Sequence, residues 1–261
     1  MGNKNDAFGN RMKTYEPDER LMRYLPVIIR LDGKNFSKFT KGMNRPFDDR
    51  MRDAMVMATK HLVDETNAVI GYTQSDEITL ILFNDNIDGQ IYFDGRVQKL
   101  ASVTASMASV IFHRSIVELM PEKYESVPAF DARVFSVPNK SEAANALLWR
   151  VKDAQKNAVS MVAQEKYSAR ALHGVSGDKK VEMLLKEHGI NFYEDYPDHY
   201  RNGTFIKRVT RVVGVPVTKG PYNTVIGDPI TRHFIEEVRY PNLFLVQNRE
   251  GIIFDNEEPV C

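Results

Sequence analysis

Val27-Ile28-Ile29-Arg30-Leu31-Asp32-Gly33-Lys34-Asn35-Phe36 is the stretch from which the fold is read. Its short apolar run fits a strand covered on both faces. Asp32 closes that run, where a carboxylate is costly unless a cation or hydrogen-bond donors meet it. Gly33 lets the chain turn at once, so backbone N–H groups can point into the space beside Asp32. Further along, Ile70-Gly71-Tyr72-Thr73-Gln74-Ser75-Asp76-Glu77-Ile78-Thr79-Leu80-Ile81-Leu82-Phe83 repeats the device. Two apolar arms flank a Ser-Asp-Glu centre, the pattern of a hairpin with acids at its tip. Strands that each bring a carboxylate to one end of a sheet make a site for a hard cation.

The chain has 261 residues, enough for one large domain or two modest ones. Lysine plus arginine numbers 35, as does aspartate plus glutamate, so any nucleic-acid partner must be met by local clusters of positive charge. The one cysteine, Cys261, rules out a disulfide framework or a cysteine zinc site. The polar N-terminus and the lack of a long apolar run predict neither a signal peptide nor a membrane span. A soluble protein of the reducing cytoplasm is expected.

Residues 1–24 read as a polar lead-in with a short helix. After the first strand, a loop through Lys41–Pro46 leads to a helix from Phe47, with Met51, Ala54, Met55, Ala58 and Leu62 on one face. The Gly71–Phe83 hairpin follows, then a turn at Asn84–Gly89. A second helix is expected from Arg96 to Glu118, with Leu100, Val103, Met107 and Ile111 on its apolar side and Pro121 beyond its end. Phe130–Val137 reads as a strand. The order over residues 25–138 is βαββαβ, an α+β polymerase-palm-like (ferredoxin-like) antiparallel sheet with both helices on one face. Residues 139–261 form a helical and β extension in one compact unit with that core. Its long helix begins near Ser141, with Ala144, Leu147, Leu148, Val151, Ala154, Ala158, Met161 and Val162 inward and Arg150, Lys152, Lys156 and Lys166 outward. Ser176 caps a helix through His188. The tail from Tyr200 to Pro259 is expected to be mostly β with one short helix, and with a turn at Lys219-Gly220-Pro221.

An acidic turn by itself is commonplace; two of them ending two apolar strands in this order point to metal chemistry. Asp76 and Glu77 are adjacent and face opposite sides of an extended strand, so one is the direct ligand. Asp76, nearer the tip, takes that role. Mg²⁺ borrows one or two carboxylates plus substrate phosphates, and two ions ~3.5–4 Å apart clamp an in-line phosphoryl displacement. No phosphate-binding glycine motif is present. A nucleotide would therefore be held by the Gly33–Ser37 backbone, by Arg45, and by Arg96 and Lys99, one helical turn apart.

These residues resemble a known family. Arg30-Leu31-Asp32-Gly33-Lys34-Asn35-Phe36, Gln74-Ser75-Asp76-Glu77, Phe130-Asp131-Ala132-Arg133 and Trp149-Arg150 stand in the order and spacing of the tRNA(His) guanylyltransferase family, over residues 25–200. The resemblance implies a palm-like domain that adds nucleotides in the 3′-to-5′ direction with two Mg²⁺ ions, in a homotetramer. It implies metal ligation by Asp32, Asp76 and the Gly33 carbonyl, with Glu77 as a further catalytic acid. It also implies a nucleotide lined by Asp32, Gly33, Lys34, Asn35, Phe36, Ser37, Ser75 and Asp76, with Arg96 and Lys99 on a triphosphate. Arg45 stands where the family has a lysine before proline, and Lys34 and Ala132 replace its usual arginine and glycine. After Trp-Arg, eukaryotic members carry His-Ile-Asn-Asn-Leu-Tyr-Asn, whereas this chain has Gln155-Lys156-Asn157-Ala158-Val159-Ser160-Met161. Only Asn157 matches; it and the preceding Asp153-Ala154 are similar to the bacterial, archaeal and phage guanylyltransferase-like branch. The implied substrates are ATP for activation, GTP or another NTP for addition, and tRNA with a truncated 5′ end.

For RNA contact, the interval from His199 to Lys219 holds Arg201, Lys207, Arg208, Arg211 and Lys219 without an acid. Arg133, Lys152, Lys156 and Asn157 are further candidates, and Lys166, Lys179 and Lys180 add charge. Such a surface binds phosphates without reading sequence. Two rival functions fit the same pattern, a palm-type nucleotide cyclase and a non-catalytic RNA-binding protein. The cyclase would carry a Gly-Gly-Asp/Glu-Glu-Phe turn, and Gln74-Ser75-Asp76-Glu77 is not one.

Overall fold

A computed structural model describes residues 6–213, 218–219, 224–225 and 230–261. After a short helix α1 (Ala7–Lys13) come β1 (Val27–Gly33), α2 (Phe36–Phe39), α3 (Asp49–Thr66), the hairpin β2 (Ile70–Gln74) and β3 (Glu77–Leu82), α4 (Val97–Leu119) and β4 (Phe130–Ser136). The long helix α5 (Lys140–Lys166) leads to α6 (Ala169–Leu172), α7 (Gly177–His188), α8 (Phe192–Asp195) and α9 (Asp198–Asn202). Strands β5 (Thr204–Val213), β6 (Thr218–Lys219), β7 (Thr224–Val225) and β8 (Ile230–Val238) complete the regular structure. The main sheet has the order β4-β1-β3-β2-β5-β8, and every pairing within it is antiparallel. The C-terminal strands thus continue the βαββαβ sheet.

Alternation along each strand divides the core in two. Val27, Ile29, Leu31, Ile78, Leu80 and Leu82 join α3 and α4 in one buried cluster. Ile28, Ile70, Tyr72 and Ile81 turn to the opposite face, beneath Leu147, Val151 and Ala154 of α5 and Leu243, Val246, Ile252 and Ile253 of the C-terminal segment. The two palm helices do share one face, as expected. The extension covers the other, which is why β1 reads as a continuous apolar run.

Several details differ from expectation. The buried line of α4 is Leu100, Thr104, Ala108, Phe112 and Ile116, so Val103, Met107 and Ile111 flank it half-buried. By length and composition this helix is apolar enough to span a bilayer, contrary to the sequence reading; its inner face packs on α3 and the sheet. Helix α5 begins at Lys140, because the Asn139 side chain accepts from the Glu142 amide at 2.8 Å. Beyond Val238 the chain is irregular apart from a π-helical turn at Gly251–Asp255, so the tail is less β-rich than its residues suggest. Gly220 and Pro221 lie outside the described residues.

Asp48 anchors the start of α3. Its carboxylate accepts from the Asn44 and Arg50 amides, both at 3.0 Å, and from Arg50 Nε at 3.0 Å and Nη2 at 2.8 Å. Arg50 also reaches Glu122 at 2.7 Å, tying α3 to the turn after α4. The Arg50 hydrogen bonds hold the Asp48 carboxyl down to about 2 against the opposing effect of burial. A depressed folded-state pKa stabilises above the unfolded value and is lost as pH falls through the folded one. Asp48→Ala is expected to cost about 2 kcal/mol at neutral pH. In urea titrations the gap between wild type and variant should narrow as pH drops from 3.8 towards 2.

Candidate active site

The site is built where β1 ends against the β2–β3 tip. Gln74 pairs with Glu77, leaving Ser75 and Asp76 as a two-residue turn, and Ser75 has φ 54°, a left-handed conformation. Ser75 Oγ donates to Asp76 Oδ1 at 3.1 Å. The Gly33 amide donates to the Asp76 carbonyl at 3.0 Å, so the two acid-bearing turns are bonded to each other. Gly33 is required by close approach: a Cβ there would come within 2.4 Å of the Phe36 ring. Phe36 is buried among Phe39, Phe112 and Phe130, with ring centroids 5.1–5.3 Å away. It is a wedge under the turn, and its ring is not a nucleotide-facing surface. Lys34, Asn35 and Ser37 are exposed around it.

In the ladders Asp32 lies opposite Glu77 on one side and Asp131 on the other. Burial pushes the Asp76 carboxyl up, and the charge of Asp32 adds to that rise while the Ser75 hydroxyl opposes it. Burial also raises Glu77, with Arg150 acting against it. Arg150 is buried, only 9% exposed, and bonds both Glu77 and, at 3.2 Å, Asp153. This corrects its expected outward position: a carboxylate on the sheet face draws the guanidinium inward. Glu77 is therefore neutralised by an internal cation, whereas Asp32 and Asp76 have no ion-pair partner among the described residues. Among those residues no group of three or more His, Cys, Asp or Glu side chains could hold a metal by itself. Two unpaired carboxylates pressed together nonetheless suit a hard cation that completes its shell with phosphate oxygens.

Beside Ser75 opens a cavity of about 200 Å³ with walls of Met43, Met51, Met55, Phe47 and Met161 and a rim bearing Asn44, Arg45 and Gln74. Flexible thioethers facing one another, with polar groups at the edge, accommodate a flat ring of nucleobase size. Methionines spaced along α3 read only as core from the sequence, and Met161 arrives from the distant end of α5.

The tRNA(His) guanylyltransferase profile, described as "Thg1: tRNAHis guanylyltransferase", matches residues 9–138. The tRNA(His) guanylyltransferase of Debaryomyces hansenii is 30% identical over 215 residues, spanning 76% of this chain and 78% of that protein. The chain belongs to the tRNA(His) guanylyltransferase family. Solved structures agree. A bacterial guanylyltransferase-like protein in complex with ATP superposes with TM-score 0.72 at 36% identity, covering 77% of this chain and 87% of that one. Another, in complex with GTP, has TM-score 0.70 at 30% identity and covers 92% and 94%. The protein is thus a nucleotidyltransferase with a palm-like fold.

Within this guanylyltransferase, the remaining predicted residues divide sharply. Arg45 stands at the cavity rim, 3.7 Å from Glu165. Arg96, which caps α4, meets Asp18 at 3.4 Å, and Lys99 lies over the Phe93 ring. Phe93 shares a cavity with Leu82, the far end of β3 from Asp76. The length of β3 therefore separates Arg96 and Lys99 from the acids of their own chain, about 20 Å. The structure does not bring them together. The Gly33 and Lys34 amides are spent on the carbonyls of Asp76 and Ala129, which leaves those of Asn35–Ser37 as the candidates for phosphate.

The basic stripe is corrected most of all. Lys207 is buried, with Nζ donating to the carbonyls of Ile252 at 2.7 Å and Ile253 at 3.0 Å, and burial pushes its pKa down to about 8. Arg208 pairs with Asp64 at 2.9 Å, Arg211 with Glu236, and Arg201 with Asp198 at 3.3 Å. The Lys219 side chain lies outside the described residues. Arg133 is exposed 4.0 Å from Asp131, Asn157 donates to Asp153 at 3.3 Å, and Lys152 and Lys156 are exposed on α5. Lys207→Met should remove the side-chain donor to the Ile253 carbonyl, leave that of Ile252 with only the Tyr240 hydroxyl at 3.3 Å, and cost about 1–3 kcal/mol in a thermal or urea melt. The salt dependence of RNA binding by that variant should match wild type, which a filter-binding series would check.

Proposed function

We propose that this guanylyltransferase-family enzyme adds nucleotides to the 5′ end of tRNA in the 3′-to-5′ direction, copying the opposite strand of the acceptor stem. ATP first adenylylates a 5′-monophosphate, releasing pyrophosphate. The 3′-hydroxyl of GTP or another NTP then attacks that phosphorus and displaces AMP. The observation that carries this reading is the junction of Asp32 and Asp76, unpaired carboxylates in bonded turns, beside a cavity of nucleobase size. The ATP and GTP complexes of the bacterial relatives support both nucleotide roles. The run Gln155–Met161 supports repair of truncated tRNA over addition of a single G to tRNA(His).

Asp32 and Asp76, with the Gly33 carbonyl, would hold two Mg²⁺ ions. Bound there, the metal supplies charge neutralisation on the triphosphate and a lowered pKa for the attacking hydroxyl. The other groups position the reactants. The methionine-walled cavity takes the base of the activating nucleotide, and Ser75 fixes the Asp76 carboxylate. Arg150 holds Glu77 so that it supports the metal-binding pair without competing for it. The amides of Asn35–Ser37 face phosphate oxygens, with Arg45 at the rim. Assembly as a homotetramer belongs to the same reading, and the remoteness of Arg96 and Lys99 from their own acids favours a site shared between copies.

The test is extension of a 5′-truncated tRNA by labelled NTPs, with and without ATP and Mg²⁺. Asp32→Ala and Asp76→Ala should each lower both steps by at least on the order of 10²–10³-fold, with melting temperatures near wild type. Retained incorporation by Asp76→Ala removes the assignment. A cyclic product from GTP alone would instead identify a cyclase, and RNA binding without incorporation would identify a non-catalytic RNA-binding protein.

A further inference from the structure

Trp149, the one tryptophan of the chain, is 52% exposed although it lies on the helix that covers the sheet. Two guanidiniums hold its ring: Arg150, with Cζ 4.5 Å from the centroid, and Arg30 of β1, at 5.3 Å. Arg30 projects from β1 and Arg150 bonds Glu77 of β3, so both cations stand between the helix and the sheet. An indole seated on two cations from below and half exposed presents its outer face to solvent. Such a ring is held in place by more than its own rotamer preference.

The surroundings are those of a nucleic-acid track. Arg30 precedes Asp32 by two residues, so both project from the same face of β1. Arg133 lies directly opposite Arg30 on the edge strand β4, and Phe135, 39% exposed, is next on that face. Lys152 and Lys156 follow Trp149 by three and seven residues on α5 and are exposed, which sets them along the same side of the helix. Neither these lysines nor Arg30 is ion-paired among the described residues. Glu77 and Asp153 are paired with Arg150, which is more buried than either, and Asp131 lies beside Arg133. The acids here are each matched by an arginine, so Arg30, Lys152 and Lys156 are, among the described residues, the unpaired cations around a bare aromatic face, one residue pair behind Asp32.

We propose that Trp149 is a stacking platform for an unpaired base at the RNA end, with Arg30, Arg133, Lys152 and Lys156 tracking the phosphates that lead that end to Asp32. This rests on the polymerase reading above and names how the RNA is seated. Stacking on an aromatic side chain tolerates any base, as an enzyme that copies whatever template it meets requires.

Because Trp149 is the sole tryptophan, its fluorescence reports on the site directly. A 5′-truncated tRNA with an unpaired acceptor end should quench and shift the emission, and a blunt RNA duplex of the same length should do so far less. Trp149→Ala should raise KM for the RNA on the order of tenfold, with kcat and KM for the NTP changing much less, and Trp149→Phe should recover most of the loss. An RNA that is extended normally while the fluorescence stays silent, or an unchanged KM in Trp149→Ala, overturns the platform and leaves the polymerase reading standing. A change of oligomeric state with unchanged RNA KM would give the ring to a neighbouring copy and likewise overturn it. Absence of any RNA binding or extension by wild type would end both.

Discussion

Two negative charges held close together at the end of a β-sheet are the constraint around which the molecule is arranged. Asp32 lies at the end of β1 and Asp76 on the adjoining hairpin turn, and the β1–β3 ladder, closed by the Gly33–Asp76 hydrogen bond, holds them side by side. That bond requires Gly33 to lie against the Phe36 ring, and Phe36 in turn requires the aromatic cluster of Phe39, Phe112 and Phe130. Repulsion at the surface is thus opposed by packing two layers beneath it. The third acid, Glu77, is handled differently, since Arg150 of the overlying helix α5 pairs with it. Three carboxylates in neighbouring positions therefore have two distinct environments: one pair open to a cation, one acid already satisfied.

The second half of the chain makes this arrangement stable. Helix α5 supplies Arg150 to Glu77 and Met161 to the cavity, while β5 and β8 lengthen the sheet past β2. Lys207 shows how the C-terminal segment is secured. An ammonium with little access to water donates to two carbonyls of a π-helical turn, where the irregular backbone leaves acceptors free. Side chains of the extension complete the lower face of the sheet.

Local pattern made the palm legible. Period-2 and period-3.6 repeats over Val27–Val137 depend on neighbours in sequence, and the strands, both helices and the acid-bearing tip follow from them. What escaped depends on partners distant in sequence. Arg150 looks like a solvent-facing helix residue until Glu77 is placed under it. Lys207 looks like a phosphate contact until Ile252 and Ile253 fold over it. Arg96 and Lys99 do lie together as their spacing requires, but spacing along a helix says nothing of which end of a sheet the helix starts from. The cavity was hidden for the same reason, as its walls come from α3, the hairpin and α5, and methionine reads as core wherever it occurs.

The lid over the Ile28–Ile81 face has a consequence for how the protein is made. Leu243, Val246, Ile252 and Ile253 are synthesised well after β1, β2 and β3, yet they cover apolar side chains of those strands. Until they arrive, a nascent palm has one finished face and one bare face. Ribosome-bound chains must hold that bare face away from one another until the segment that covers it has left the exit tunnel.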